Sequence, residues 1–199
     1  MSEGVLIVVE GIDGAGKTSV SGEVVSRLSN LGFKTVYTYE PYTPFITEVI
    51  NEYWDEIDPI VLTLLMAADR YYHINRVILP HLRSGHIVIS DRYYYSSIAY
   101  QGAQGVDTQW IAEVNKFVIK PKFAIYLDVD PEVGLTRKKV SNTRVKSIEA
   151  NIEMIRKARS IYLDLISRGE LVLVNARDEL SRVVDEVMKH VLEVIKASS

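Results

Sequence analysis

Short apolar runs and longer amphipathic stretches alternate along this chain. Val5-Leu6-Ile7-Val8-Val9 is continuous, β-branched and too short for a helix, which predicts a strand buried on both faces over Val5–Glu10. The stretch that follows carries Val20, Val24, Val25 and Leu28 at helical spacing, with Gly32 beyond it as a stop signal. The alternation recurs: Thr35–Tyr39, Ile87–Ser90, Phe123–Asp128 and Leu171–Asn175 read as further strands, with helical patterns between them. Strands separated in this way predict an α/β domain, a parallel sheet with helices on both faces. The breakers agree with it. Asp58 before Pro59 predicts a capped helix start, Gly85 a helix end, Pro80 a kink or stop in a long helix, and Pro121 the approach to the fourth strand. No repeat, linker or low-complexity tract interrupts the pattern, so one domain over residues 1–199 is expected.

Ligands of such sheets sit beyond the carboxyl ends of the strands. Four segments there carry chemistry: the stretch after the first strand, Glu40-Pro41, Asp91-Arg92 and Asn175-Ala176-Arg177. The first of these reads Gly11-Ile12-Asp13-Gly14-Ala15-Gly16-Lys17-Thr18, a complete phosphate-binding loop in the strand–loop–helix setting that the motif requires. Its glycines let successive backbone N–H groups turn around a phosphate, and the helix that starts near Gly16 adds the positive end of its dipole. Lys17 can reach the outer phosphates, and the Thr18 hydroxyl can ligate Mg2+. Asp91, directly after an apolar strand, suits the same ion, and Arg92 beside it can clamp a phosphate.

Composition narrows the classes. The 199 residues carry a formal net charge of −3, which gives no electrostatic reason to expect nucleic acid or an anionic membrane as partner. There is no cysteine, so disulfides, thiolate metal sites and thiol catalysis are excluded. No apolar stretch reaches membrane-spanning length and the N-terminus does not read as a signal peptide, so a cytoplasmic enzyme is expected. The four histidines show no metal-ligand spacing and read as surface or packing residues.

Three further constellations stand out. Met66, Arg70 and His73 share a helix face; Arg70 can present a cation over a planar ligand, or Met66 is simply core and Arg70 snorkels outward. Ser96, Ser97, Tyr100 and Gln101 offer hydroxyls, an aromatic edge and an amide to a base and sugar, although serines near a helix start are also routine caps. Between 136 and 159 lie eight basic residues, Arg137, Lys138, Lys139, Arg144, Lys146, Arg156, Lys157 and Arg159, against the acids Glu149 and Glu153. With Ser141-Asn142-Thr143 as a loop in its middle, this segment reads as a basic lid over polyphosphate, in which Arg137 and Arg144 are the best candidates and the lysines a solvated face.

Taken in order, Glu10-Gly11-Ile12-Asp13-Gly14-Ala15-Gly16-Lys17-Thr18, Glu40-Pro41, Ala68-Asp69-Arg70, Asp91-Arg92-Tyr93-x-x-Ser96-Ser97-x-Ala99-Tyr100-Gln101-Gly102 and Tyr126-Leu127-Asp128-Val129-Asp130-Pro131-Glu132-Val133-Gly134-Leu135 resemble the thymidylate kinase family over nearly the whole chain. The resemblance implies the P-loop kinase sandwich: a five-stranded parallel sheet in the order 2-3-1-4-5, helices on both faces and a short basic lid at about 136–147. It implies phosphoryl transfer from ATP to dTMP with Mg2+, in a homodimer. By matching position, Lys17 and Thr18 hold ATP phosphates and Mg2+, and the acid at the end of the third strand, Asp91, remains the other candidate metal residue. Asp13 lies near the acceptor's 3′-hydroxyl, Arg92 holds the acceptor phosphate, and Arg70 and Ser97 meet the base. Tyr100 packs on the sugar and disfavours a ribose hydroxyl, while Ala176 and Arg177 lie near the adenine. With Gly14 in the phosphate loop, catalytic arginine is expected in the lid, at Arg137 and Arg144.

Two positions depart from the family pattern. Met66 stands where a phenylalanine usually stacks on thymine, which predicts looser base selectivity. Tyr39 and Tyr42 flank Glu40-Pro41 where an arginine usually grips the acceptor phosphate, which predicts weaker dTMP affinity. Two rivals stay open: a kinase of this fold acting on another nucleotide or a deoxynucleoside, and a non-catalytic nucleotide switch. The second lacks its guanine motif, because Asn115-Lys116-Phe117-Val118 has no aspartate.

Overall fold

The structure, a computed structural model, describes residues 4–53, 56–140 and 152–197, with the backbone alone at 138–140. All five expected strands form: β1 (Val5–Glu10), β2 (Thr35–Tyr39), β3 (Ile87–Asp91), β4 (Phe123–Asp128) and β5 (Val172–Asn175). Two bounds move by one residue, since β3 takes in Asp91 opposite Val9 and β5 begins at Val172. The sheet is parallel, in the order β2-β3-β1-β4-β5. β1 lies at its centre, with Val5 beside Ile87 on β3 and Glu10 beside Tyr126 on β4. All six of its residues are buried, which is why the run reads apolar without alternation. Glu10 is the polar exception.

Helices supply the crossovers. α1 (Lys17–Asn30) joins β1 to β2, and α2 (Pro44–Glu52), α3 (Pro59–His73) and α4 (Leu79–Arg83) lead to β3. α5 (Tyr94–Ala103) and α6 (Thr108–Val114) precede β4. α7 (Pro131–Val140) and α8 (Ile152–Ser167) lie between β4 and β5, and α9 (Leu180–Ala197) closes the described chain. On β4, Phe123 meets His190 of α9 with ring centres 5.7 Å apart, while Tyr126 stacks on Tyr162 of α8 at 4.5 Å. Residues three apart on a strand point to opposite faces, so helices cover both. The stripe Val183, Val184, Val187, Met188, Val191 and Ile195 is the buried side of α9, at the helical period that its sequence shows.

The cap at Asp58 is as expected, its carboxylate accepting the Ile60 N–H at 2.8 Å. Pro80 does not stop its helix. The chain stays helical from Pro59 to Arg83 through one wide turn over Ile74–Ile78, in which the Leu79 N–H reaches back to Ile74 O. That turn lies immediately before the proline, where a regular helix would press the ring against the carbonyl four residues back. The second half of the expected lid, with Ser141, Asn142, Thr143, Arg144 and Lys146, lies outside the described residues.

Candidate active site

The phosphate loop leaves the end of β1 and turns back into α1. Gly16, at φ 92°, precedes the helix, and α1 begins without a side-chain cap, so its first turn offers N–H groups to a phosphate. Gly14, at φ 78°, serves a second purpose. A side chain there would collide with the Gly134 carbonyl, and one on Gly134 would collide with the Asp13 carbonyl. The pair lets α7, which runs into the expected lid, rest against the loop.

Lys17 folds back along this loop. Its Nζ donates to Ile12 O at 3.0 Å and lies 3.9 Å from Asp13 Oδ1. Burial pushes the ammonium down to about 8, helped by the charge of Arg92, while Asp13, Asp91 and Glu10 pull the other way. At the start of α1 the Thr18 hydroxyl donates to Asp91 Oδ2 at 2.6 Å, and Tyr37 reaches the same oxygen at 3.4 Å. A hydroxyl and a carboxylate this close suit a hard divalent ion that keeps water and phosphate oxygens as its other ligands.

A cleft opens beside the loop among α2, α3 and α5. Glu40, Pro41, Met66, Arg70, Arg92, Ser97, Tyr100 and Gln101 all line it. These are the acceptor-side residues expected from the sequence, except Asp13. Asp13 sits at the boundary: its carboxylate pairs with Arg92 NH2, and its N–H donates to Tyr100 OH at 3.1 Å. Arg92 also lies over the Tyr100 ring at 5.3 Å. One arginine therefore borders both the cleft and the phosphate loop.

Arg70 does not snorkel. It is 2% exposed and turned inward. Its Nε donates to Glu40 Oε2 at 2.8 Å, NH1 to Asn115 Oδ1 at 2.7 Å and NH2 to Ser97 Oγ at 3.2 Å. A guanidinium carries five N–H groups in a fixed fork, so these three bonds fix its plane and leave capacity toward the cleft. His73, one turn further along α3, lies between Glu40 Oε1 at 3.2 Å and Thr38 Oγ1 at 2.6 Å and stacks on Tyr42. It is a packing histidine, as its spacing indicates. Asp69 accepts the N–H groups of Tyr42 and Thr43 at 2.8 and 2.6 Å. It thereby holds the loop after the cis Glu40-Pro41 peptide. Met66 is half-buried; it lines the cleft and also packs against the small cluster of Ile46, Ile50 and Leu62.

The basic segment divides. Arg159 makes a bidentate pair with Asp128 at 2.8 Å, and Arg156 pairs with Glu132 and Glu153. Lys157 is exposed. Arg137 donates to Ala176 O at 2.9 Å and reaches Arg177 O at 3.5 Å, while Arg177 itself pairs with Asp130 at 2.7 Å. The Arg137 guanidinium thus lies on the Ala176–Arg177 loop and ties α7 to the end of β5.

Sequence reasoning passed over several residues here. Thr47, Ile50, Asn51 and Tyr93 line the cleft. Asn115 drew notice only within a tetrapeptide that fails as a guanine motif, yet it is 1% exposed and holds Arg70. Glu10 was one letter of a motif, yet it is fully buried and accepts from Tyr93, Ser96 and Tyr162. A polar residue ending an otherwise apolar central strand was the available signal for Glu10.

A family model described as thymidylate kinase matches residues 9–187. A probable thymidylate kinase of Staphylothermus marinus is 47% identical over 196 residues, covering 97% of this chain and 98% of the relative. One of Pyrobaculum calidifontis is 40% identical over 193 residues, with 96% and 95% covered. Probable thymidylate kinase 1 of Saccharolobus solfataricus is 39% identical over 186 residues, with 92% and 95% covered.

Proposed function

The chain belongs to the thymidylate kinase family, and on that premise we propose that it transfers the γ-phosphoryl group of ATP to the phosphate of dTMP, releasing dTDP and ADP. The observation that carries this reading is Arg92. It lines the cleft that would take the acceptor and pairs with Asp13 of the loop that would take the donor. Phosphoryl transfer asks little covalent help of a protein; it asks for alignment, exclusion of water and charge to meet the transferring group. In this reading Lys17 holds the outer phosphates of ATP and Arg92 the acceptor phosphate. Arg70 and Ser97 meet the thymine edge, and Tyr100 occupies the space beside the sugar. Thr18 and Asp91 would hold Mg2+, which when bound neutralises charge on the donor phosphates.

The exposed apolar side chains Phe45 and Val49 on α2 and Ile60, Val61 and Leu64 on α3 support pairing of two copies. We read residues 1–199 as one kinase domain and its setting as cytoplasmic; among the described residues no helix is long and apolar enough to cross a membrane.

Release of ADP across a panel of nucleoside monophosphates and deoxynucleosides tests the assignment. dTMP is expected to be the best acceptor, with dUMP accepted measurably. Preference for another acceptor would transfer the assignment to the other kinase reading, and nucleotide binding without turnover would favour a switch.

Met66→Phe tests the departure at the base. A ring stacked on thymine adds about 0.5–1.5 kcal/mol, so KM for dTMP should fall several-fold and the preference over dUMP should widen, with little change in Tm. Lost stability with unchanged KM would assign Met66 to its cluster with Ile46, Ile50 and Leu62 alone. For Arg137→Ala, the bonds to Ala176 and Arg177 lead us to expect a rise in KM for ATP that exceeds any fall in kcat. A fall in kcat alone, in the same steady-state assay, would instead make Arg137 a transition-state group.

A further inference from the structure

Among the described residues, Arg92 is the non-glycine residue with a left-handed backbone, at φ 73°. Such a conformation persists only where the surroundings over-determine it. Behind the turn, the Arg92 N–H donates to Val9 O at 3.0 Å and the Ser90 hydroxyl donates to Arg92 O at 2.8 Å. Ahead of it stands a carboxylate from the neighbouring strand. Glu10 Oε1 accepts the N–H of Tyr93 at 2.8 Å and of Ser96 at 3.2 Å. Tyr93 is the N-cap of α5 and Ser96 its third helical residue, so these are the two N–H groups that a capping box would satisfy from within the chain, and the Tyr93 side chain makes no capping bond.

The second oxygen of Glu10 completes the arrangement. It accepts from the Ser96 hydroxyl at 2.6 Å and from Tyr162 OH, on α8, at 2.8 Å. Ser96 Oγ in turn accepts from Arg92 NH1 at 3.2 Å. Glu10 and Tyr162 are both 0% exposed and absent from the lining of the cleft, whereas Arg92 and Ser96 line it. Neither Glu10 nor Tyr162 can touch an acceptor there, so any influence must pass through Ser96 and Arg92.

We propose that Glu10, Ser96 and Tyr162 are positioning residues for Arg92, fixing both its backbone turn and its guanidinium in the attitude that meets the acceptor phosphate. The proposal rests on the reading of Arg92 as the group that binds that phosphate. Glu10 caps α5 from across the sheet and so sets the turn. Ser96 carries the position of the carboxylate to the guanidinium. Tyr162 restrains the carboxylate from the lid side, so α8 contributes to acceptor binding without contacting the acceptor.

Tyr162→Phe and Ser96→Ala remove one hydroxyl each with little change in shape. Each is made alone and in an Arg92→Ala background, and dTMP dissociation constants are measured by calorimetric titration beside KM for both substrates. Each single variant is expected to weaken dTMP binding about 3–10-fold, the effect of one hydrogen bond, with KM for ATP within about twofold. In the Arg92→Ala background the same substitutions should change dTMP binding less than about twofold, because the group they position is gone. Equal losses in both backgrounds, or no loss in the first, would overturn the proposal while leaving Arg92 in its role. An Arg92→Ala variant that binds dTMP as tightly as the native protein would overturn the role of Arg92 and the proposal with it.

Discussion

Lys17→Met should lower the rate of phosphoryl transfer by about 10²–10³-fold, the usual consequence of losing one preorganised charge at the reacting group, and should leave the free protein at least as stable. The two halves have one cause. Lys17 is 7% exposed, and burial holds its ammonium at about 8 instead of its usual 10.5. A base whose pKa is depressed on folding binds more protons unfolded than folded between those two values, so its contribution to stability rises with pH across that window. Below about 8 the penalty is present in full, and at about 1.4 kcal/mol per pKa unit it is on the order of 3 kcal/mol. Methionine keeps most of the stem and drops the charge. Calorimetry near pH 7 should therefore find Tm unchanged or raised by several degrees. The native enzyme should also lose kcat/KM for ATP as pH rises above about 8, where the ammonium of the free protein loses its proton. Near-normal turnover in Lys17→Met would overturn the role of the loop in ATP binding.

Arg70→Ala should be damaging in two separable ways. It leaves Glu40 buried beside His73 without its guanidinium partner, and it strips Asn115 and Ser97 of their shared donor. Breaking a buried pair by removing one partner costs about 3–5 kcal/mol. For a chain of this length that is a Tm lower by on the order of 10 °C. If Arg70 meets the base as proposed, turnover with dTMP should also fall well beyond what unfolding explains at a temperature where the variant is still folded. The double variant Arg70→Met, Glu40→Gln removes both charges and keeps the volume. Thermal melts should show most of the lost stability restored, since a buried pair replaced whole is often neutral. The dTMP assay should show no matching recovery. Restored stability with restored turnover would make Arg70 a structural group only.

These two residues differ in how far the sequence shows them. Lys17 was legible because its neighbours in the chain are its neighbours in space. Its partners Ile12 and Asp13 lie within the same eight-residue motif, Gly11–Thr18. Arg70 was legible as a candidate but not in its orientation. Its inward turn depends on Glu40, Ser97 and Asn115, which are 30, 27 and 45 residues away. Glu10 is harder still. Its partners Tyr93, Ser96 and Tyr162 are 83, 86 and 152 residues distant, and nothing near it in the chain records them.

The sequence by itself determined the alternation of strand and helix, the place of the phosphate loop and the cap at Asp58. Each of these rests on a period, a steric preference or a motif acting over a few residues, and the family resemblance supplied the strand order that periodicity leaves open. The tertiary structure alone decided that Arg70 is held from three sides, that Arg137 lies on the Ala176–Arg177 loop, that Arg159 is taken up by Asp128, and that the helix around Pro80 widens instead of ending. A long cationic side chain reaches several acceptors from one backbone position. Which of them it takes is set by burial and by the carboxylates that other strands bring within hydrogen-bonding distance, and these are properties of the packed sheet rather than of any stretch of the chain.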